Sequence, residues 1–290
     1  MKSDLSIFIP TYKRNEALFE TIRSTRGIQD IQVIISDNNE DINLSNEIQD
    51  FISQYANIKY HRNQVNIGLD RNMLNFIPLC ETKYCLLLGD DDVLTEKFAL
   101  IFEHIENDAD FLLLNNTSLS TGVIPIDTNR EKASLFEKIW NKMPFGTLII
   151  NVQKARLIKQ ELEKYIGTYH AYSAVVWEIL CSDHSSNKMI NIQEKVIQLG
   201  VIDKSWKQST VEIHFVSIPL WFGLLPEQLN KTGQQVLKFF VKSTFNWRFF
   251  RQLLKNGLLN NTNYSRTVGQ LPLKYRLVYH LSKISLTVKK

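Results

Sequence analysis

The chain has 290 residues, 44% hydrophobic and 22% charged, with a net charge of +4. That apolar content allows a sizeable core and excludes a disordered or collagen-like chain. Its three cysteines (Cys80, Cys85, Cys181) and six histidines show neither paired nor zinc-ligand spacing, which excludes a disulfide framework and a zinc ribbon.

Residues 5–9 are almost continuously apolar and run into Pro10, as expected of a strand buried on both faces. Residues 15–26 space their apolar side chains at three and four and predict a helix. The alternation then repeats. Strand 31–35 ends in Ser36, Asp37, Asn38, Asn39 and Glu40, and is followed by helix 44–55, strand 58–60 and helix 69–77, stopped at Pro78. A fourth apolar strand closes on Gly89, Asp90, Asp91 and Asp92, and helix 95–105 and strand 111–114 complete the series. Five alternations predict a mostly parallel sheet with helices on both faces. The carboxyl ends of such strands share one edge, where open α/β sheets bind ligands. Beyond it, residues 117–140 predict a loop with a short helix, 145–150 a strand, 153–165 and 169–180 helices, and 195–199 a strand.

Three consecutive carboxylates raise one another's pKa unless a cation or an array of donors neutralises them. Oxygen-only ligands suit Mg²⁺ or Mn²⁺, which takes one or two carboxylates plus substrate phosphates. The plainer alternative is a solvated acidic turn capping the helix that begins at Thr95. Thr11 and Tyr12, the 36–40 cluster and the aspartates should converge on one crevice, and that favours a metal-assisted site for a phosphorylated substrate.

The charge is unevenly spread. Residues 231–290 hold 12 Lys or Arg and no Asp or Glu, leaving 22 basic against 30 acidic residues before them, or −8 against +12. Such asymmetry points to an anionic partner. Lys238, Lys242, Arg248 and Arg251 are interleaved with Phe239, Phe240, Phe245, Trp247, Phe249 and Phe250, which taken as one helix form no clean stripe. Long cations among aromatics suit the headgroup layer of an anionic membrane. Single-stranded nucleic acid is the rival partner, and the acidic body argues against it. The first ten residues show no signal-peptide pattern and no apolar run reaches the ~18 residues of a membrane span. The expected location is cytoplasmic, peripheral on the inner face of the cytoplasmic membrane.

Four stretches, taken together, resemble the family 2 glycosyltransferases: Ile7 to Arg14, Val33 to Asn38, Asn66-Ile67-Gly68 with Arg71-Asn72, and Leu87 to Asp92. The resemblance implies a GT-A fold, a Rossmann-like α/β sheet, here with a C-terminal helical, basic extension. It implies a catalytic domain over 1–225, with donor-binding (1–115) and acceptor (116–225) halves, followed by the extension at 226–290. It also implies an inverting transfer of a sugar from a nucleotide-diphosphate sugar, with Mg²⁺ or Mn²⁺, to a polyprenyl-diphosphate-linked saccharide of a bacterial surface polysaccharide. Pro10, Thr11 and Tyr12 would line the nucleotide pocket, with Arg14, Asn38, Asn66 and Gly68 on the same surface. Asp37 would accept from the base and Arg71 would lie near the diphosphate or ribose. Asp90, Asp91 and Asp92 would hold ribose and metal, with Asp90 and Asp92 favoured for the metal; many members have Asp where this chain has Gly89. For the base, the resemblance offers His170, Glu178 and Asp183. A sugar nucleotidyltransferase is the enzymatic alternative, but the segment after the first strand lacks the Gly- and Arg-rich loop of those enzymes. A nucleic-acid-binding protein using the tail is the non-enzymatic one.

Overall fold

The computed structural model describes residues 4–28, 30–105, 108–200, 210–259 and 267–287. Its strands are β1 (Leu5–Thr11), β2 (Gln32–Asp37), β3 (Ile58–Arg62), β4 (Tyr84–Leu87), β5 (Val93–Leu94), β6 (Phe111–Leu113), β7 (Gly122–Pro125), β8 (Leu148–Asn151), β9 (Lys188–Asn191) and β10 (Ile197–Gln198). Eight form one sheet in the order β3-β2-β1-β4-β8-β6-β9-β7, and β5 pairs with β10 in a separate ribbon.

The sheet is mostly parallel, as expected, with four parallel pairings, and is mixed through three antiparallel ones. β1 runs parallel to β2 and β4, and β2 to β3. β8 is antiparallel to both β4 and β6, β9 parallel to β6, and β7 antiparallel to β9. β1 to β4, β6 and β9 therefore end on a common edge, and the reversed β8 begins there. Every residue of β1 and β4 is buried, which is why their sequences carry no polar alternation.

Pro10 does not close β1. Pairing with β4 stops at Phe8 and Leu87, and Leu88 N still donates to Phe8 O. The next position on that side is Pro10, whose missing N–H has no strand to answer. β1 thus continues to Thr11, whose carbonyl accepts from Asn38 N on the β2 side.

Helix Asn15–Ser24 buries Ala17, Leu18 and Ile22. The expected helix after Thr95 is a 3₁₀ segment, Glu96–Glu103. In the stretch expected to be mostly loop lie β7, a half-exposed edge strand bounded by Gly122 and Pro125, and helix Asn129–Ile139, opened by a Thr128/Glu131 capping box. The helix expected over 153–165 is three short pieces, Val152–Leu157, Lys159–Leu162 and Glu163–Tyr165. Helix Ala171–Cys181 is buried on nearly every side. Cys80, Cys85 and Cys181 are free thiols.

The chain divides into two compact units, one within Met1–Gly167 and Ala171–Asp203, the other within Thr168–His170 and Lys204–Lys290. The first holds the sheet. The second is helical: Glu227–Thr244, Trp247–Lys255 and Leu273–Thr287 follow a helical stretch that contains a π turn at Ile213–Ser217. Val211 and Phe215, on the near side of the boundary expected at 225, pack in one cluster with Phe245, Phe250, Leu253, Tyr275 and Tyr279. Among the described residues no helix is long and apolar enough to cross a membrane.

Candidate active site

The aspartates leave β4 at the edge where the parallel strands end. Asp92 N donates to Gly89 O at 3.2 Å, closing a tight turn, and the Asp92 carboxylate folds back over it: Oδ2 accepts from Gly89 N at 3.0 Å and Oδ1 from Gly200 N at 2.8 Å. Two glycines make room for this. A Cβ on Gly89 would lie 2.6 Å from Asp92 Oδ2, and one on Gly146 only 2.1 Å from it. The absence of a side chain at Gly89 thus belongs with the folded-back Asp92 side chain.

Asp90 is held from the β1 side. Its Oδ2 accepts from Thr11 Oγ1 at 2.9 Å and its Oδ1 from Arg14 Nη1 at 2.7 Å, while Arg14 Nη2 donates to Asp91 Oδ2 at 2.8 Å. One guanidinium fork thereby bridges two neighbouring carboxylates. Burial, together with Asp91 and Asp92, lifts the Asp90 pKa to about 7 against the opposing pull of Arg14 and Thr11. Burial lifts Asp92 to about 6, although its bonds from Gly200 and Gly89 work the other way. A solvated acidic turn would show neither shift.

Among the described residues no three His, Cys, Asp or Glu side chains gather to hold a metal by themselves. A hard divalent ion completing its shell with phosphate oxygens and water needs only one or two carboxylates. Asp90 and Asp92 fit that need. They are buried, short of neutralising charge, and each oxygen keeps a second lone pair beyond the hydrogen bond named above.

The second expected cluster is an amide network. Asp37 is fully buried; Oδ1 accepts from Asn39 N at 2.9 Å, and Oδ2 from Ser45 Oγ at 2.6 Å and Tyr60 OH at 2.5 Å. In this arrangement its carboxylate orders the loop after β2 and faces no open space. Asn38 Nδ2 donates to Asn66 Oδ1 at 2.6 Å, and Asn38 Oδ1 accepts from Ile67 N at 3.0 Å. Gly68, at φ +84°, then opens helix Leu69–Leu74. No role was expected of Asn63, Asn72 or Asn75, although Asn72 stands in one of the four motif stretches. Asn72 joins Ser36 Oγ and O, Asn63 Nδ2 and Thr11 O, and Asn75 donates to Ser36 Oγ and Asn63 Oδ1. Four asparagines within the thirteen residues 63–75 were the available signal.

Pro10 is buried in β1; Tyr12 is exposed, with the Lys13 ammonium 4.8 Å from its ring centre. Arg71 is not brought to the aspartates: it pairs with Glu163 (Nη2 to Oε2, 2.9 Å) at a half-exposed position. Asp70, beside it, accepts from Gly167 N and Ala171 N and so anchors the start of helix Ala171–Cys181. Glu178 is buried on that helix, bound by Tyr165 OH at 2.7 Å and Lys164 Nζ at 2.8 Å. Asp183 is exposed in the turn after it. His170 belongs to the second unit, 6.3 Å from the Trp221 ring, and burial with His214 nearby lowers its pKa to about 4.

A sequence model of glycosyl transferase family 2 matches residues 6–167. The abequosyltransferase RfbV of Salmonella typhimurium is 32% identical over 128 residues, which cover 42% of this chain and 38% of that protein. The chain thus spans well under half the length of that relative. Among solved structures, S. aureus TarS in complex with UDP superposes over 95% of this chain and 77% of its own, with TM-score 0.53 and 14% identity. The mannosyltransferase PcManGT from Pyrobaculum calidifontis, in complex with GDP-Man and Mn²⁺, superposes over 100% of this chain and 87% of its own, with TM-score 0.51 and 10% identity. At such identities the likeness is one of fold.

Proposed function

The chain belongs to glycosyl transferase family 2, and on that premise we propose that it moves a sugar from a nucleotide-diphosphate sugar to a saccharide hydroxyl, with inversion, in bacterial surface-polysaccharide synthesis. Family membership sets aside the nucleotidyltransferase alternative. The observation that carries the reading is the pair Asp90 and Asp92, buried at the sheet's ligand-binding edge with pKa values of about 7 and 6.

Asp92 and Asp90 would hold Mg²⁺ or Mn²⁺, which when bound offsets the negative charge gathering on the departing nucleoside diphosphate, an effect of several kcal/mol. Thr11 fixes the Asp90 carboxylate, and Gly200 and Gly89 fix that of Asp92. Arg14 shares its charge between Asp90 and Asp91 and is a second cation for phosphate oxygens. Asp37 supports the base-binding loop by ordering Asn39, Ser45 and Tyr60, and the Asn38–Asn66 bond holds the 66–68 segment that faces the donor. Arg71 reaches the donor only by leaving Glu163. His170 is neutral near pH 7 and serves as acceptor-orienting group or base; with a pKa of about 4 it is a weak base, so orientation is its larger share. Glu178 supports its helix through Tyr165 and Lys164, and Asp183 is the remaining carboxylate candidate.

The acceptor is a polyprenyl-diphosphate-linked saccharide, and the basic extension brings the enzyme to the anionic, cytoplasmic membrane face where such a lipid is reached. The test is thermal stabilisation by UDP, GDP, CDP or dTDP with Mn²⁺, followed by assay of the stabilising nucleotide's sugars on lipid-linked acceptors. One nucleotide should stabilise the protein only with metal present, and Asp92→Asn should abolish the effect. Stabilisation by none of them would overturn the proposal.

A further inference from the structure

Asp70 stands on helix Leu69–Leu74, just after the 66–68 segment and just before Arg71. It is 5% exposed, and both of its oxygens accept from main-chain N–H groups far along the chain. Oδ2 accepts from Gly167 N at 2.8 Å, 97 residues on, and Oδ1 from Ala171 N at 3.2 Å, 101 residues on. Thr168, Tyr169 and His170 run between those two anchored amides. The chain does not adopt such a turn unaided. Gly167 lies at φ +92° and Tyr169 at +61°, a left-handed conformation that disfavours a bulky side chain and persists where the surroundings impose it. A carboxylate acting only as a cap would bond N–H groups in the first turn of helix Ala171–Cys181. The shorter bond goes instead to Gly167 N, four residues before that helix begins, where it shapes the turn and caps nothing. The helix that carries Asp70 is itself fixed. Asn72 bonds Thr11 O, Ser36 and Asn63, and Thr11 Oγ1 donates to Asp90 at 2.9 Å. Arg71 ties the same helix to Glu163, but both of those side chains are about half exposed and the pair contributes little.

We propose that Asp70 is a positioning residue for sugar transfer: from the helix after the donor loop it sets the turn 167–171, and through that turn it sets His170. The proposal rests on the transferase reading for what His170 does. Its geometry rests on the two bonds, the left-handed Tyr169 between them and the mounting of the helix on Asn72. One six-residue helix thus joins the support of Asp90, through Asn72 and Thr11, to the support of the His170 turn, through Asp70. Reacting groups displaced by about 1 Å lose about 10²-fold in rate, so a carboxylate that touches no substrate still governs turnover.

The experiment compares Asp70→Asn and Asp70→Glu with the wild-type full chain. Asparagine keeps the size of the side chain but only one acceptor oxygen, so one of the two amides is released. Glutamate keeps the charge and both oxygens, and its extra methylene moves them by about 1.5 Å, which preserves a cap and misplaces a turn. The first measurement is an NMR titration of the histidines, with the His170 signal identified by its absence from His170→Gln. The wild-type ring should titrate at about 4, and in both variants, with the turn released or displaced, nearer the ordinary 6.5. The second is thermal stabilisation by UDP, GDP, CDP or dTDP with Mn²⁺, which should be unchanged. The third is transfer of the stabilising nucleotide's sugar to a lipid-linked saccharide: kcat should fall about 10²-fold in both variants, with the KM of the donor unchanged. If Asp70→Asn gives no cooperative melt, Asp70→Glu carries all three measurements. An unmoved His170 titration, wild-type turnover, or equal losses of nucleotide stabilisation and transfer would each overturn the proposal. Were no nucleotide to stabilise the wild type, the transferase reading would fall, and the His170 titration would still decide whether Asp70 sets the turn.

Discussion

Gly146→Ala tests the site through a residue that carries no functional group. Gly146 sits at φ +82°, where an alanine costs about 1–2 kcal/mol in backbone strain. The larger effect is contact. The new methyl would lie 2.1 Å from Asp92 Oδ2, 3.0 Å from its Cγ and 2.8 Å from Leu199 Cδ2, so the carboxylate must retreat by about 1 Å or more to reach ordinary separation. Retreat stretches the bonds from Gly89 N (3.0 Å) and Gly200 N (2.8 Å). Hydrogen bonds to a charged group contribute about 1.5–3 kcal/mol each. With partial relaxation the expected destabilisation is about 3–5 kcal/mol by urea denaturation. Sugar transfer should fall about 10²-fold, as expected when a group is misplaced by 1 Å. Gly257→Ala is the control: it sits at φ +67° with nothing within 4 Å of its Cβ, so it should lose only the strain. If Gly146→Ala were no less stable than Gly257→Ala and kept full turnover, Asp92 would not be held as described.

Four further outcomes are expected. Asp90 has a folded pKa of about 7 against an unfolded value near 3.8, so the metal-free folded protein binds the extra proton between those values; its stability should fall by roughly 4 kcal/mol as pH rises from about 4 to about 7, then level off, and urea titrations of Asp90→Asn should lose that slope. Arg14→Ala removes the cation bridging Asp90 and Asp91, and calorimetry should show nucleotide-free Mn²⁺ binding at least about tenfold tighter than in the wild type; an unchanged titration would contradict the bridge. Asn72→Ala strips four hydrogen bonds from the ends of β1 and β2 and should cost about 2–4 kcal/mol of stability along with nucleotide-dependent stabilisation, both read in thermal melts. His170→Gln should lower turnover by about 10²-fold or more while leaving nucleotide affinity unchanged, and wild-type turnover would eliminate His170 from the chemistry.

What could be read in advance follows how local each cause is. The apolar runs within β1, β2, β4 and β6 announce themselves, because burial on both faces leaves few polar residues among them. The insertion of β8 between β4 and β6 does not, because its reversed direction is set by partners some 60 and 40 residues earlier and by nothing in its own four residues. β7 was hidden for another reason: an edge strand alternates weakly and is framed by Gly122 and Pro125, the residues that elsewhere announce loops. The basic tail shows a third case. Read as one helix, residues 236–254 scatter Phe245 and Phe249 off the apolar side. The chain in fact breaks at Phe245, and Asn246 caps a new helix by accepting from Phe249 N, after which Phe250 and Leu253 face inward and Arg248 and Lys255 outward. The pattern was present in the sequence, and the phase reset at Asn246 obscured it.

The same division runs through the site. Asp90, Asp91 and Asp92 were legible because their chemistry lies in their own side chains. The groups that make them a site are mostly main chain and empty space: the Gly200 N–H, which arrives 108 residues later by way of the β5–β10 ribbon, and the missing Cβ of Gly146, delivered by the reversal of β8. Antiparallel β8 is therefore more than a departure from a parallel sheet. A parallel strand in that place would present its far end at this edge, and Gly146 would not stand beside Asp92. In the observed arrangement one reversed strand supplies the clearance and a two-residue ribbon supplies the donor. Together they hold Asp92 folded back over its own turn, so its side-chain position depends on two distant segments, those of Gly146 and Gly200.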